Sequence, residues 1–191
     1  SIPEEDFQRV LNFVRDLARR LDVDSGNARI GVVTFSDEPY LIFNLNEYDN
    51  TADITREIQG IDYMHGSTNM AGAWQYVHEV MFAPENGARP GVEHLALIIT
   101  DGESNDPDAA IDEARKARDA GIEILTLGIG SWILRYELEG MASHPKTRNM
   151  FDVPSYQALF QVTDLIMMAM CDVVDDCVSN PCHNGGECKD G

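Results

Sequence analysis

Leu97-Ile98-Ile99-Thr100-Asp101-Gly102-Glu103-Ser104 reads as an apolar strand that ends in a carboxylate and a hydroxyl, just where a glycine lets the backbone turn. Strands of this uniformly apolar kind sit inside open parallel sheets, and such sheets bind their ligands at the carboxyl ends of the strands. Asp101 therefore stands where chemistry is expected. Two further polar segments, Gly66-Ser67-Thr68-Asn69 and Ser1, can bring hydroxyl oxygens to the same rim. Carboxylate and hydroxyl oxygens together suit a hard divalent cation.

On either side of this strand the hydrophobic pattern alternates between helical and extended periods. Phe7, Val10, Leu11, Val14, Leu17, Ala18 and Leu21 recur at spacings of three and four and predict an opening helix, with Ser1 as its N-cap and Pro3 in its first turn. Residues 30–35 and 40–43 predict two strands. Only Ser36-Asp37-Glu38-Pro39 separates them, which permits a hairpin and forbids a helical crossover. A short helix over 52–58 and a longer one over 70–82 follow, the second with Ala73, Trp74, Val77, Val80 and Met81 on its apolar side. Beyond the strand at 94–100 come a helix over 108–120, a strand over 122–129, a short strand within 149–153 and a closing helix over 156–170. Leu159, Phe160, Val162, Thr163 and Ile166 are expected to face inward from that helix, and its Met167-Met168-Ala169-Met170 end to fill core. This β-α alternation predicts an α/β fold, Rossmann-like and doubly wound, with a mostly parallel sheet, one antiparallel edge strand and flanking helices.

Fourteen Lys and Arg against thirty-three Asp and Glu give a net charge of −19. Such a surface repels nucleic acid and anionic membranes and attracts cations and basic partners, so no nucleic-acid partner and no membrane insertion are expected. Charge of this size also serves simply to keep a secreted protein soluble. Neither an apolar run of membrane length nor an Asn-x-Ser/Thr acceptor occurs.

All four cysteines, Cys171, Cys177, Cys182 and Cys188, lie in the last 21 residues. Close Cys spacing, turn residues and few large apolar side chains predict a small disulfide scaffold in an oxidising compartment, separate from the body. Zinc is the competing reading, weakened by the lack of a close Cys pair and by His183 being the one histidine among the thiols.

Ser1-Ile2-Pro3, residues 30–36, Gly66-Ser67-Thr68-Asn69 and Ile99-Thr100-Asp101-Gly102-Glu103-Ser104 occur in the order and at the spacing of a von Willebrand factor A domain, which residues 1–170 resemble. Residues 171–191 resemble the first half of an epidermal-growth-factor-like module. The A-domain resemblance implies a metal-ion-dependent adhesion site. Its ligands would be Ser1, matching the last serine of an Asp-x-Ser-x-Ser motif, Thr68, and Asp101 from a third loop, with Mg²⁺, Mn²⁺ or Ca²⁺ as the ion. That motif's aspartate and first serine do not occur in these residues, so the same resemblance implies a sheet without its central first strand. For the tail it implies a disulfide between Cys177 and Cys188 and a mate for Cys171 upstream of Ser1. Ca²⁺ before the first module cysteine is a further expectation, for which Asp175 and Asp176 fit and Val173 does not.

Each site residue also has a structural reading. Ser1 and Thr68 could cap helices, and Asp101 with Ser104 could be turn chemistry before Pro107. Three functions follow. The first is a secreted, extracellular adhesion or matrix-assembly module that binds an acidic side chain of a matrix protein, collagen-like or other, through the cation. The second is a structural extracellular or biomineral matrix element with no active metal site. The third, an enzyme, is disfavoured: no phosphate-binding glycine loop and no nucleophile elbow occurs, and His65, His78, His94, His144 and His183 are scattered.

Overall fold

The structure is a computed structural model that describes residues 2–173. In chain order its main elements are α1 (Glu4–Ala18), β1 (Val32–Phe35), β2 (Pro39–Phe43), α2 (Thr51–Gln59), α3 (Met70–Tyr76), β3 (His94–Thr100) and α4 (Pro107–Asp119). β4 (Ile122–Ile129), α5 (Arg135–Met141), α6 (Lys146–Asn149), β5 (Met150–Val153) and α7 (Thr163–Val173) complete it.

β4 organises the fold. It pairs in parallel with β3 on one side and β5 on the other, with Thr100 opposite Gly128 and Gly128 opposite Asp152. All three strands therefore end on one rim, the place the sequence assigned to chemistry. The period-two alternation of side chains sends Leu125, Leu127 and Ile129 to one face, against Val10, Phe13 and Leu17 of α1 and Leu159 and Ile166 of the C-terminal segment. Ile122 and Ile124 point the other way, onto Met70, Trp74, Ala110, Ala114, Leu138 and Met141. Helices thus cover both faces, which is why β4 is apolar at most positions rather than at alternate ones. Gly128 permits α5 to lie close, since a Cβ there would come within 2.6 Å of Leu138 Cδ1 and 2.7 Å of Ile133 Cδ1.

β1 and β2 form the expected antiparallel hairpin, with a register shift between Val32 and Val33. Among the described residues this hairpin is a sheet of its own and does not pair with β3. A cavity of about 470 Å³ lies between the two sheets, lined by β1, β3, α1 and α3.

Several local expectations are corrected. Pro3, not Ser1, is the N-cap of α1 and offers no side-chain bond; the helix is stabilised instead by Glu4, Glu5 and Asp6 in its first turn. Asn69, not Thr68, caps α3, accepting from the Gly72 N–H at 2.9 Å. The predicted 70–82 helix is continuous in direction, but passes from α into a π turn over Val77–Met81. The closing helix is broken: Tyr156–Gln161 is a 3-10 segment and α7 starts at Thr163. That break turns Phe160 outward to 74% exposure and leaves Met168 exposed, while Leu159, Ile166 and Met167 are buried as expected. Cys171 is disulfide-bonded, so it is not a cysteine in want of an upstream mate. Ser1, Cys177, Cys182, Cys188, Asp175 and Asp176 lie outside the described residues.

Candidate metal centre at the sheet rim

Thr68 and Asp101 both line the cavity between the sheets, as does Ile2, the neighbour of Ser1. Ser1 itself lies outside the described residues. Ile2 is held there because its carbonyl accepts the Tyr63 hydroxyl at 2.6 Å, and Tyr63 in turn packs edge-on against Phe7 and His65.

The Thr68 loop is fixed from two sides. Asn105, in the loop after Asp101, accepts the Thr68 N–H through its side chain and donates its own N–H to the Thr68 carbonyl, both at 2.9 Å. Its amide also donates to the Ser67 hydroxyl at 3.0 Å. From the hairpin turn, Asp37 Oδ1 accepts the Ser67 N–H at 2.9 Å and the Ser67 hydroxyl at 2.7 Å. These bonds hold the Asp37 carboxyl below its ordinary range although it is exposed. Gly66 makes the close approach possible: at φ +143° its backbone suits glycine, and a Cβ would come within 3.0 Å of Ser36 Cβ. With its N–H and carbonyl both engaged, the loop presents the Thr68 hydroxyl, which makes no hydrogen bond among the described residues.

Asp101 is half-buried where β3 ends. Its Oδ2 accepts the Tyr156 hydroxyl at 2.7 Å. Burial first, and then this bond and the Asp101 charge, push the Tyr156 phenol far above its ordinary range, so it remains a donor. One hydroxyl and one half-buried carboxylate at a single opening are hard oxygen donors of the kind a divalent cation takes. No three His, Cys, Asp or Glu side chains converge on a common point among the described residues, so a cation here would depend on hydroxyls as well as on Asp101.

Beneath the rim, Glu137 is 1% exposed and fastens α5 to the Asp101 loop: its Oε2 accepts the Ser104 N–H at 3.3 Å. Glu137 Oε1 has no partner among the described residues. Burial pushes this carboxyl above its ordinary value of 4.5, against the pull of the Ser104 bonds. The folded chain thus holds the Glu137 proton more tightly than the unfolded chain. Its ionisation costs nothing below the unfolded value and weakens folding as the pH rises through the folded one. Glu137→Gln keeps an acceptor for Ser104 and removes the charge. The variant is expected to be more stable than the parent at pH 7, with the difference shrinking as the pH falls through the raised folded value towards 4.5 and absent below it. Urea midpoints across that range measure it, and a difference that does not change with pH would contradict this assignment.

Sequence reasoning missed Asp37, Asn105, Tyr156 and Glu137 as parts of this site. Asp37 stood in a turn and Asn105 before a helix, positions that polar residues occupy for local reasons alone.

Comparison with known proteins supplies the family. The sequence profile of the von Willebrand factor type A domain matches residues 1–165. This chain belongs to that family. Across 192 residues it is 34% identical to von Willebrand factor A domain-containing protein 2 of Xenopus laevis, covering 98% of this chain and 24% of that protein. Matrilin-1 of Gallus gallus is 29% identical over 177 residues, covering 93% of this chain and 35% of that protein. The chain thus spans about a quarter to a third of the length of these relatives. Among solved structures, proximal thread matrix protein 1 from the mussel byssus superposes with a TM-score of 0.83 at 27% identity, over 88% of this chain and 44% of that one. A further structure of that protein, with a TM-score of 0.82 at 26% identity over 88% of this chain and 44% of that one, is described as having a zinc-occupied MIDAS motif.

Proposed function

We propose that this A domain is an extracellular adhesion or matrix-assembly module that captures an acidic side chain of a matrix-protein partner through a divalent cation at the rim. The reading is supported by Thr68 and Asp101 lining one cavity, with the Thr68 hydroxyl making no hydrogen bond among the described residues and its loop fixed by Asp37 and Asn105. Ser1 is the third proposed ligand. Bound at the rim, the cation would supply a positively charged open position for a carboxylate; Mg²⁺ is the proposed ion, with Mn²⁺ and Ca²⁺ as alternatives. Asp101, already holding the Tyr156 hydroxyl, is suited to fix a coordinated water rather than the ion itself. Fewer anionic ligands then leave more positive charge for the partner.

Likeness to a zinc-occupied relative supports a divalent cation, and matrilin-1, vitrin of Mus musculus and the collagen alpha-1(XXI) chain among the similar proteins support a matrix setting and a non-enzymatic role. The Cys177–Cys188 pair and an epidermal-growth-factor-like module over 171–191 belong to the same proposal and rest on the resemblance of those residues to such a module. Binding of the chain to a collagen-coated surface is expected with Mg²⁺ and to fall at least about tenfold with EDTA, the size of effect that metal-site disruption usually gives. Binding that ignores the chelator would favour the structural-matrix reading, which the byssal thread relative supports.

A further inference from the structure

The two described residues proposed as ligands are carried by different sheets. The Thr68 loop travels with the β1–β2 hairpin: Asp37 Oδ1 holds the Ser67 N–H and hydroxyl, the Ser36 carbonyl accepts the Asn69 N–H at 2.9 Å, and the Asp37 carbonyl accepts the Asn69 side-chain amide at 2.9 Å. Asp101 instead follows β3, in the other sheet. Among the described residues hairpin and sheet do not pair, so no strand ladder fixes how far one donor stands from the other.

Asn105 makes that connection. Four residues beyond Asp101, it supplies three hydrogen bonds to the Thr68 loop: its Oδ1 accepts the Thr68 N–H, its own N–H reaches the Thr68 carbonyl, and its Nδ2 donates to the Ser67 hydroxyl oxygen. The orientation of the amide follows from chemistry, because only its oxygen can accept an N–H, which leaves the nitrogen for Ser67, whose own proton goes to Asp37. Starting α4 does not require this side chain, since Asp106 is the cap of that helix. The preceding residue, Ser104, is 5% exposed, and its N–H is taken by Glu137 Oε2, so α5 braces from beneath the segment that bears Asn105. Neighbouring Cα atoms stay about 3.8 Å apart, and a shift of Ser104 is therefore passed to Asn105 and through its bonds to Thr68.

We propose that Asn105, braced through Ser104 by Glu137, is a positioning residue that sets the separation of the Thr68 hydroxyl and the Asp101 carboxylate, and thereby the size of cation the rim prefers. The inference rests on the cation reading of the rim and adds to it the part that selects among ions. Mg²⁺ demands near-ideal octahedral geometry at about 2.0–2.1 Å, whereas Ca²⁺ accepts roughly six to eight oxygens at about 2.3–2.6 Å in adaptable arrangements. Donors held at a fixed separation suit the smaller ion, and loops free to part penalise it more than the larger one. Neither Asn105 nor Glu137 is a ligand in this scheme; each acts on the ion through Thr68.

Two measurements on the full chain test it. The first follows hydrogen exchange of the Thr68 N–H by NMR in metal-free protein. Glu137→Met fills similar buried space without an acceptor, and is expected to speed that exchange about three- to tenfold, the net worth of one hydrogen bond, although residue 137 reaches Thr68 through Ser104 and Asn105. Glu137→Gln keeps an acceptor for the Ser104 N–H and is expected to exchange at the parent rate. The second measurement is calorimetric titration with Mg²⁺ and with Ca²⁺. Asn105→Ala is expected to lower Mg²⁺ affinity about tenfold, as loss of a group that orients a metal ligand does, and Ca²⁺ affinity less, so that the ratio of the two falls. A loss of folded protein alone would lower both ions alike. Should Glu137→Met not fold, Asn105→Ala, at an exposed position, still decides. Thr68 exchange in Glu137→Met at the parent rate, or equal losses for the two ions in Asn105→Ala, would overturn the proposal. A parent chain that binds neither ion would remove the cation reading and with it the choice of ion, while the metal-free exchange would still decide whether Glu137 and Asn105 set the Thr68 loop.

Discussion

Asp101→Ala is expected to weaken Mg²⁺ binding by roughly ten- to a hundredfold, the usual cost of removing a group that orients a metal site. The carboxylate contributes in two ways. It supplies the one negative charge among the proposed ligands Ser1, Thr68 and Asp101, and it holds the rim in register with the C-terminal segment by accepting the Tyr156 hydroxyl at 2.7 Å. Alanine removes both and leaves a half-buried phenol without its acceptor, so stability must be measured alongside affinity. Two further variants separate the effects. Tyr156→Phe keeps the carboxylate and removes the donor, and is expected to cost far less affinity than Asp101→Ala. Thr68→Val keeps the shape of the loop, whose backbone bonds to Asn105 do not involve the side chain, and should impair cation binding without lowering the urea midpoint. Titration calorimetry with Mg²⁺ and Mn²⁺ reads all three, and unaltered affinity in Asp101→Ala would end the proposed role of that residue.

The largest expected loss of stability comes from Leu127→Ala. Leu127 has no exposed surface, lies on the strand paired on both sides, and points into the cluster built by Val10, Phe13, Leu17 and Ile166. Removing a buried leucine side chain costs about 2–5 kcal/mol, because the transfer free energy is lost and the surroundings collapse only in part. For a domain whose whole stability is about 5–15 kcal/mol, that is a substantial share. Phe160→Ala is the informative counterpart. It removes a larger side chain that periodicity would place in the core, yet at 74% exposure it is expected to change stability by less than about 0.5 kcal/mol. Urea denaturation of the pair tests the break between the 3-10 segment and α7, since a Phe160→Ala cost near that of Leu127→Ala would mean that the closing helix is continuous.

The contrast between these two residues shows what the sequence carried about the fold. β4 was legible because burial on both faces leaves a largely apolar strand, interrupted at Glu123 and Thr126, bounded by Gly121 and Gly130. The interruption at Val162 was not legible. Leu159, Phe160, Thr163 and Ile166 suit a continuous helix as well as a broken one, and packing against β4 and α1 decides between them. α5 and α6 went unrecognised because each is one or two turns long, and Glu137, an acid in a buried position, conceals the inward face of α5.

The candidate site divided along similar lines. Thr68 and Asp101 could be found because small polar residues next to a glycine at the end of a strand are a local pattern. Their supports could not. Asp37 reaches Ser67 across 30 positions, Asn105 reaches Thr68 across 37, and Tyr156 reaches Asp101 across 55. Each of those bonds is created by the topology, and no periodicity announces it.

A single phenol joins the two functional ends of this molecule. Tyr156 opens the segment that leads into α7, and its hydroxyl proton is shared with the rim carboxylate. Moving Asp101 from its place therefore costs the bond that ties the start of this segment to the rim.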